Sequence, residues 1–306
     1  MTEPLVAILL STYNGERFLG EQLDSLLAQT HRNMRIVVRD DGSSDGTRAI
    51  LDRYARAHAN VEVTYGENLR NVASFFWLVD HAPKDAAYLC FCDQDDVWEP
   101  DKVARGVRAL QALDGPAMVF TNVQVVDAAL RPLAADANRA PRGTAFENSL
   151  VQNVATGCTV MFNAAAAAGL RGRNVRHAEL IQHDWWVYQV VSASGRVVYD
   201  AYPTVRYRQH GSNVIGQPTG LRFWTGRIRR QLDPSRRLLR RQAAELLRVH
   251  GAGFPPEKRR VLEEFVRHSG AESLLERARY ALRAPVYRQQ ALDDVILRLL
   301  IAAGRV

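Results

Sequence analysis

The sequence predicts an α/β protein with a central, mostly parallel mixed sheet followed by a helical C-terminal extension. Three observations carry that expectation. Short β-rich runs alternate with longer helical patterns through about residue 210, as in strands joined by helical crossovers. Residues 6–10 are continuously apolar, as a strand covered on both faces should be. From residue 222 onward no strand pattern remains, only arginine-rich helical ones.

The elements follow in order. After the first strand, Phe18, Leu23, Leu26 and Leu27 recur at helical spacing, and residues 34–38 return to strand character. Ile50, Leu51 and Tyr54 mark a helix, 61–65 a strand, 72–79 a helix and 87–91 a strand. Beyond about residue 115 the rhythm loosens into β-like runs at 118–121, 123–126 and 159–162, and the alanine run 164–168 suits a short helix. Gly211, Gly216, Pro218 and Gly220 read as a linker. Two parts are therefore expected, 1–216 with the sheet and 217–306 as a basic helical region.

Composition sets the broad class. With 47% apolar and 24% charged residues among 306, the chain is an ordinary globular protein and not a disordered one. The first apolar stretch lacks the flanks of a signal peptide, and no run approaches the roughly 20 apolar residues of a membrane-crossing helix. The expected location is the cytoplasm, at most peripheral at the inner face of its membrane. Cys90, Cys92 and Cys158 show no zinc-type spacing and read as reduced, buried thiols. Charge is uneven: residues 1–221 carry a net −3, residues 222–260 a net +9 and residues 261–306 a net +1.

Polar loops follow the predicted strands, where open α/β sheets bind ligands. In Asp40-Asp41-Gly42-Ser43-Ser44-Asp45-Gly46-Thr47, Asp45 reads as a helix N-cap. Asp41, at a strand end, is placed to accept from a base N–H or a ribose hydroxyl. The loop has neither Gly-x-Gly-x-x-Gly nor Gly-Lys-Ser/Thr, which excludes the dinucleotide fingerprint and the P-loop. Asp93-Gln94-Asp95 offers two oxygen ligands, enough for Mg²⁺ or Mn²⁺, which keep places for water and phosphate. Asp96 is expected to cap the following helix. In His183-Asp184-Trp185-Trp186, Asp184 is either a first-turn acid or a partly desolvated general base. His210, in Tyr207-Arg208-Gln209-His210, is structural, a third metal ligand or a phosphate donor.

Together with Ser11-Thr12-Tyr13-Asn14-Gly15 and Thr156-Gly157-Cys158, these motifs in this order resemble glycosyltransferase family 2, over residues 5 to about 216. The resemblance implies an A-type glycosyltransferase fold and an inverting transfer from a nucleotide sugar. It implies that Thr12, Tyr13 and Asp41 hold the nucleoside, and it adds Asn14, Glu16, Asn68, Gln94 and Arg208 to the donor-binding set. Asp93 then meets the ribose or the metal, Asp95 binds the metal, His210 assists there, and Asp184 is the catalytic base.

Cys-Asp-Gln-Asp-Asp-Val-Trp and Tyr-Arg-Gln-His-Gly-Ser-Asn-Val-Ile-Gly look most like rhamnosyltransferase-type members that use dTDP-rhamnose in bacterial surface polysaccharides. A UDP-hexose donor is the alternative. The acceptor expected is a saccharide, free or lipid-linked. The chain lacks the Gln-x-x-Arg-Trp element of processive members, so one or a few sugars per encounter are expected. The arginines of 222–260 read either as a solvated face or as a dock for an anionic membrane surface. No nucleic-acid signature accompanies them, so no nucleic-acid partner is expected. Rival classes are a nucleotidyltransferase, disfavoured by a first loop without basic or multiple glycine residues, and an inactive nucleotide-sugar or anionic-surface binding module.

Overall fold

In the computed structural model, which describes residues 3–135, 139–209 and 238–306, the first half alternates as expected. β1 (Val6–Thr12), α1 (Leu19–Leu27), β2 (Met34–Asp40), α2 (Thr47–Ala57), β3 (Val61–Tyr65), α3 (Arg70–His81) and β4 (Tyr88–Cys92) follow in order. β1 lies between β2 and β4, parallel to both, and β2 pairs parallel with β3. β4 is buried throughout and β1 at all but Ser11, which is why both read as continuous apolar runs.

The second half is mixed. It contains β5 (Val97–Trp98), α4 (Lys102–Leu110), β6 (Ala117–Val126), β7 (Pro132–Ala135), α5 (Phe146–Ser149), β8 (Met161–Asn163), α6 (Ala164–Leu170), α7 (His183–Ser194) and β9 (Arg196–Arg208). The sheet runs β3-β2-β1-β4-β8-β6-β9-β5, with β7 beside β6. Short β8 is antiparallel to both β4 and β6 and joins the two parallel sets. The two runs expected at 118–121 and 123–126 are one strand, with its register against β9 shifting around Asn122. β9 itself carries no clear strand pattern in the sequence. Its residues are a mixture of exposed, half-buried and buried, with Pro203 inside, and the long parallel pairing with β6 makes it a strand.

Alternation along β1 sorts two cores. Val6, Ile8 and Leu10 face Leu23, Leu51 and Val107 of α1, α2 and α4. Ala7 and Leu9 face the other side, with Phe75 of α3, Ala166 of α6 and Trp186 of α7. The C-terminal helices α8 (Leu238–His250), α9 (Pro256–Ser269), α10 (Leu274–Arg283) and α11 (Ala291–Ala302) join this second core through Leu246, Phe265, Tyr280 and Ile301. Gln242 of α8 accepts from Ile181 N at 2.7 Å and donates to Gln189 Oε1 at 2.9 Å, so the seam is polar as well as apolar. The expected boundary at 216/217 and the linker glycines lie outside the described residues. Among the described residues no helix is long and apolar enough to cross a membrane.

Gly195 joins α7 to β9 where the chain passes against Pro116; a Cβ there would stand 1.8 Å from the Pro116 carbonyl oxygen. Backbone cannot yield as a side chain does. Gly195→Ala is expected to lower unfolding stability by about 1–3 kcal/mol, read from a urea melt. An unchanged midpoint would refute this packing.

Candidate functional site

The parallel strands deliver their C-terminal loops to one edge of the sheet, where a cleft of about 560 Å³ opens. Tyr13 and Asn14 come to it from β1, Asp41 from β2, and Asn68 from the loop before α3. Asp93, Gln94 and Asp95 follow β4, and Asp184 opens α7. These eight sequence-predicted residues thus share one cavity.

Much of their polar capacity ties the loops together. Gln94 accepts from Tyr13 N at 2.9 Å and donates to Tyr13 O at 3.0 Å, clamping the β1 and β4 loops. Asn14, at φ 47°, accepts from Ser44 N at 2.8 Å, while its own N–H donates to Ser43 Oγ at 2.9 Å. The Asp41 carboxylate pairs with the Arg39 guanidinium and accepts from Leu69 N at 3.0 Å and Arg70 N at 2.9 Å. Those two bonds hold Arg70 at φ 67°, a strained conformation for a side chain of that size. The Tyr13 ring stays half exposed at the cleft.

Three other predicted residues do not line the cleft. Thr12 is buried and donates to Asp40 Oδ2 at 3.2 Å. Glu16 accepts from Gly46 N at 2.9 Å. Arg208, 1% exposed, runs beneath the site and donates to Asp95 O at 2.9 Å and to Ala128 O, and pairs with Glu21 at 2.7 Å. The structure thus gives Arg208 protein partners where the sequence assigned it to the donor. His210 lies outside the described residues.

The acids at the floor repel one another. Burial pushes the Asp93 carboxyl well above the usual carboxylate range, and Asp96, Asp95 and Asp184 push it further. Asp96, expected as a helix cap, is fully buried instead; α4 begins after Asp101, and Asp96 accepts from Arg208 N at 3.0 Å. Burial first, then Asp95, raise it to about 7. Its Oδ2 has no hydrogen-bond partner. Ligand atoms of Asp93, Asp96 and Cys158 lie within 4.8 Å of one another. Asp96 thus joins Asp93 from beneath, while Asp95, the ligand expected from the sequence, lines the cleft beside Asp93. Two carboxylates with an unpartnered buried oxygen fit a hard divalent cation; the Cys158 thiol is the soft member of the set. All three cysteines are free and buried, as expected.

Asp184 stands in the first turn of α7 and accepts from Trp185 N at 2.6 Å. Burial raises it to about 6, with hydrogen bonds from Trp185, Asn153 and Gly157 holding it from going higher. Its neighbour His183 is buried, stacked on Phe75 at 3.8 Å, and held neutral by burial, with its pKa lowered to about 3. His183 Nδ1 is 3.1 Å from Asn71 Oδ1, and Nε2 has no partner. Sequence reasoning missed His183, Arg70, Asn71 and Tyr207 as parts of the cleft wall. The positive φ of Arg70 and the pairing that makes β9 leave no local signal.

A family model described as Glycosyl transferase family 2 matches residues 7–168, just over half of the chain. The chain is 27% identical over 216 residues to the dTDP-rhamnosyl transferase RfbG of Shigella flexneri, covering 68% of this chain and 73% of that protein. It is 29% identical over 195 residues to the putative glycosyltransferase EpsE of Bacillus subtilis, covering 60% and 66%. Among solved structures, S. aureus TarS 1–349 in complex with UDP-GlcNAc superposes with a TM-score of 0.62 at 13% identity, over 98% of this chain and 87% of that one. The mannosyltransferase PcManGT of Pyrobaculum calidifontis, in complex with GDP-Man and Mn²⁺, gives 0.55 at 18% identity, over 97% and 79%. Likeness at these identities shows the fold.

Arg208→Ala should remove the guanidinium's bonds to the carbonyls of Asp95 and Ala128 beneath the site and lower stability by about 2–3 kcal/mol. Urea denaturation checks it, and wild-type stability in the variant would show that Arg208 is not a brace.

Proposed function

The chain belongs to glycosyltransferase family 2, and from that premise we propose that it transfers L-rhamnose from dTDP-rhamnose to a saccharide acceptor, with inversion, in the assembly of bacterial surface polysaccharide. One observation carries the reading: Asp184 and the Asp93 and Asp95 carboxyl groups line one cleft, with Asp96 buried beneath Asp93, so a proton acceptor and a set of oxygen ligands serve the same cavity. The likeness to RfbG and the strings around Asp93 and Arg208 support rhamnose as the sugar.

Tyr13 and Asp41 take the nucleoside at the β1 and β2 ends of the cleft, with Asn14, Asn68 and Gln94 holding that wall in shape. Mg²⁺ or Mn²⁺ would be held by Asp93 and Asp95 at the cleft, with Asp96 beneath Asp93, and when bound it offsets charge growing on the departing diphosphate. Asp184 removes the acceptor hydroxyl's proton as that oxygen bonds to C1 and the C1–O bond to the diphosphate breaks. Attack opposite the leaving group inverts the anomeric centre. Since burial holds Asp184 near 6, it is mostly ionised at neutral pH yet remains a competent base.

The acceptor is lipid-linked in this reading, and the enzyme works in the cytoplasm, adding one or a few sugars per encounter. Residues 222–260, with their net +9, would draw it to the anionic inner leaflet.

Thermal shift with dTDP, UDP and GDP, each with and without Mn²⁺, tests the donor. Stabilisation of a few degrees by dTDP that needs Mn²⁺ and disappears in Asp93→Asn is expected. A larger Mn²⁺-dependent shift with UDP, or faster turnover of a UDP-hexose than of dTDP-rhamnose, overturns the rhamnosyl assignment. Asp184→Asn should cut transfer by about 10²–10⁴ while leaving nucleotide affinity unchanged. The wild-type rate should fall as pH drops through about 6, where Asp184 becomes protonated and loses its ability to take a proton. A flat profile between pH 5 and 7, bounds chosen roughly one unit either side of that value, would remove Asp184 as the base.

A further inference from the structure

The apolar run at the end of the chain is divided by the fold. Leu297, Leu300 and Ile301 of α11 enter the core, as do Tyr280 and Ala281 of α10. The opposite faces do not. Leu274, Leu275 and Leu282 on α10 and Leu292, Val295 and Leu299 on α11 are between 56% and 81% exposed. They are six of the eleven exposed large hydrophobic residues among those described. Leu292, Val295 and Leu299 fall at i, i+3 and i+7, and Leu275 and Leu282 at i and i+7, so each helix presents a stripe and not scattered residues.

The two helices are fastened as a rigid pair. Arg277 Nε donates to Ala302 O at 3.0 Å, and Arg298 donates to Ala281 O. Their charges are as telling as their leucines. The exposed ones are Glu276, whose carboxylate is 2.8 Å from His268 Nδ1, and Arg279 and Arg283, for which no carboxylate partner is found among the described residues. Both arginines adjoin the α10 stripe, Arg279 between Leu275 and Leu282 and Arg283 next to Leu282.

We propose that the outer face of α10 and α11 is a membrane-docking surface, with its leucines among the acyl chains and Arg279 and Arg283 at anionic headgroups. Charge complementarity selects this occupant. A second copy would offer these arginines only Glu276, already engaged by His268, and Glu272 before the helix, whereas a leaflet supplies a dense layer of phosphates to which an arginine head can reach while its stem lies on apolar surface. The surface adds apolar insertion to the electrostatic attraction proposed for residues 222–260, and in its purpose it rests on the lipid-linked acceptor.

Co-sedimentation of the full chain with vesicles of phosphatidylcholine, with and without phosphatidylglycerol, tests it without turnover, so failure here is separate from failure of the donor assay. Wild type should bind the anionic vesicles. Leu282→Glu with Leu299→Glu, both at exposed positions and expected to melt like wild type, should weaken binding by about tenfold or more. Arg279→Ser with Arg283→Ser should reduce the preference for anionic over neutral vesicles. Absence of wild-type binding, or leucine variants that bind as wild type does, overturns the proposal. So does a dimer seen by light scattering that the same leucine changes abolish, which would assign the face to a second copy.

Discussion

Asp93, Asp95, Asp96 and Asp184 open on or lie under a single cleft, and the repulsion among them is the constraint to which the rest of the site answers. A chain gains nothing in stability by gathering carboxylates where water is scarce. Burial raises Asp93, Asp96 and Asp184 together, and an unpartnered oxygen remains on Asp96. Such an arrangement persists because the scaffold over-determines it: parallel β1 and β4 fix where the β4 loop must emerge, and α7 brings Asp184 in from the far half of the sheet. The repulsion is a property of the protein without a ligand, and protonation or the proposed divalent cation would relieve it.

Around this floor the division of labour is uneven. Side chains that look like ligand contacts in a linear motif spend their hydrogen bonds on one another. Gln94, Asn14, Glu16 and Thr12 tie loop to loop or loop to strand, and Arg208 braces the carbonyls below. A pocket built this way holds its shape before a ligand arrives, which lowers the ordering cost of binding. Tyr13, Asp93, Asp184 and the neutral ring of His183, whose Nε2 has no partner, stand on the cleft wall beside them.

The helical C-terminal part is not a separate body in its packing. α8 to α11 extend the core on the α7 side of the sheet, and α8 packs directly on the helix that carries Asp184. Gln242 bonds both Gln189 of α7 and the backbone just before that helix. Whatever seats on the outer face of α10 and α11 is therefore connected through packed helices to the element that carries the proposed base.

The sequence by itself determined the early strands and helices, the strand ends at which polar loops gather, and the identity of the acids there, because periodicity and local turn chemistry report burial directly. It also carried the family, since six motifs in order are a property of the chain and not of its packing. What only the tertiary structure decided were the long-range choices. Asp96 turns inward beside Asp93 and Cys158, and Arg208 bonds under the site and not in it. β9 exists because β6 pairs with it, and Leu299 faces out while Leu300 faces in. Each of these depends on contacts between residues far apart in sequence, where the partner supplies the energy and the local pattern permits more than one answer.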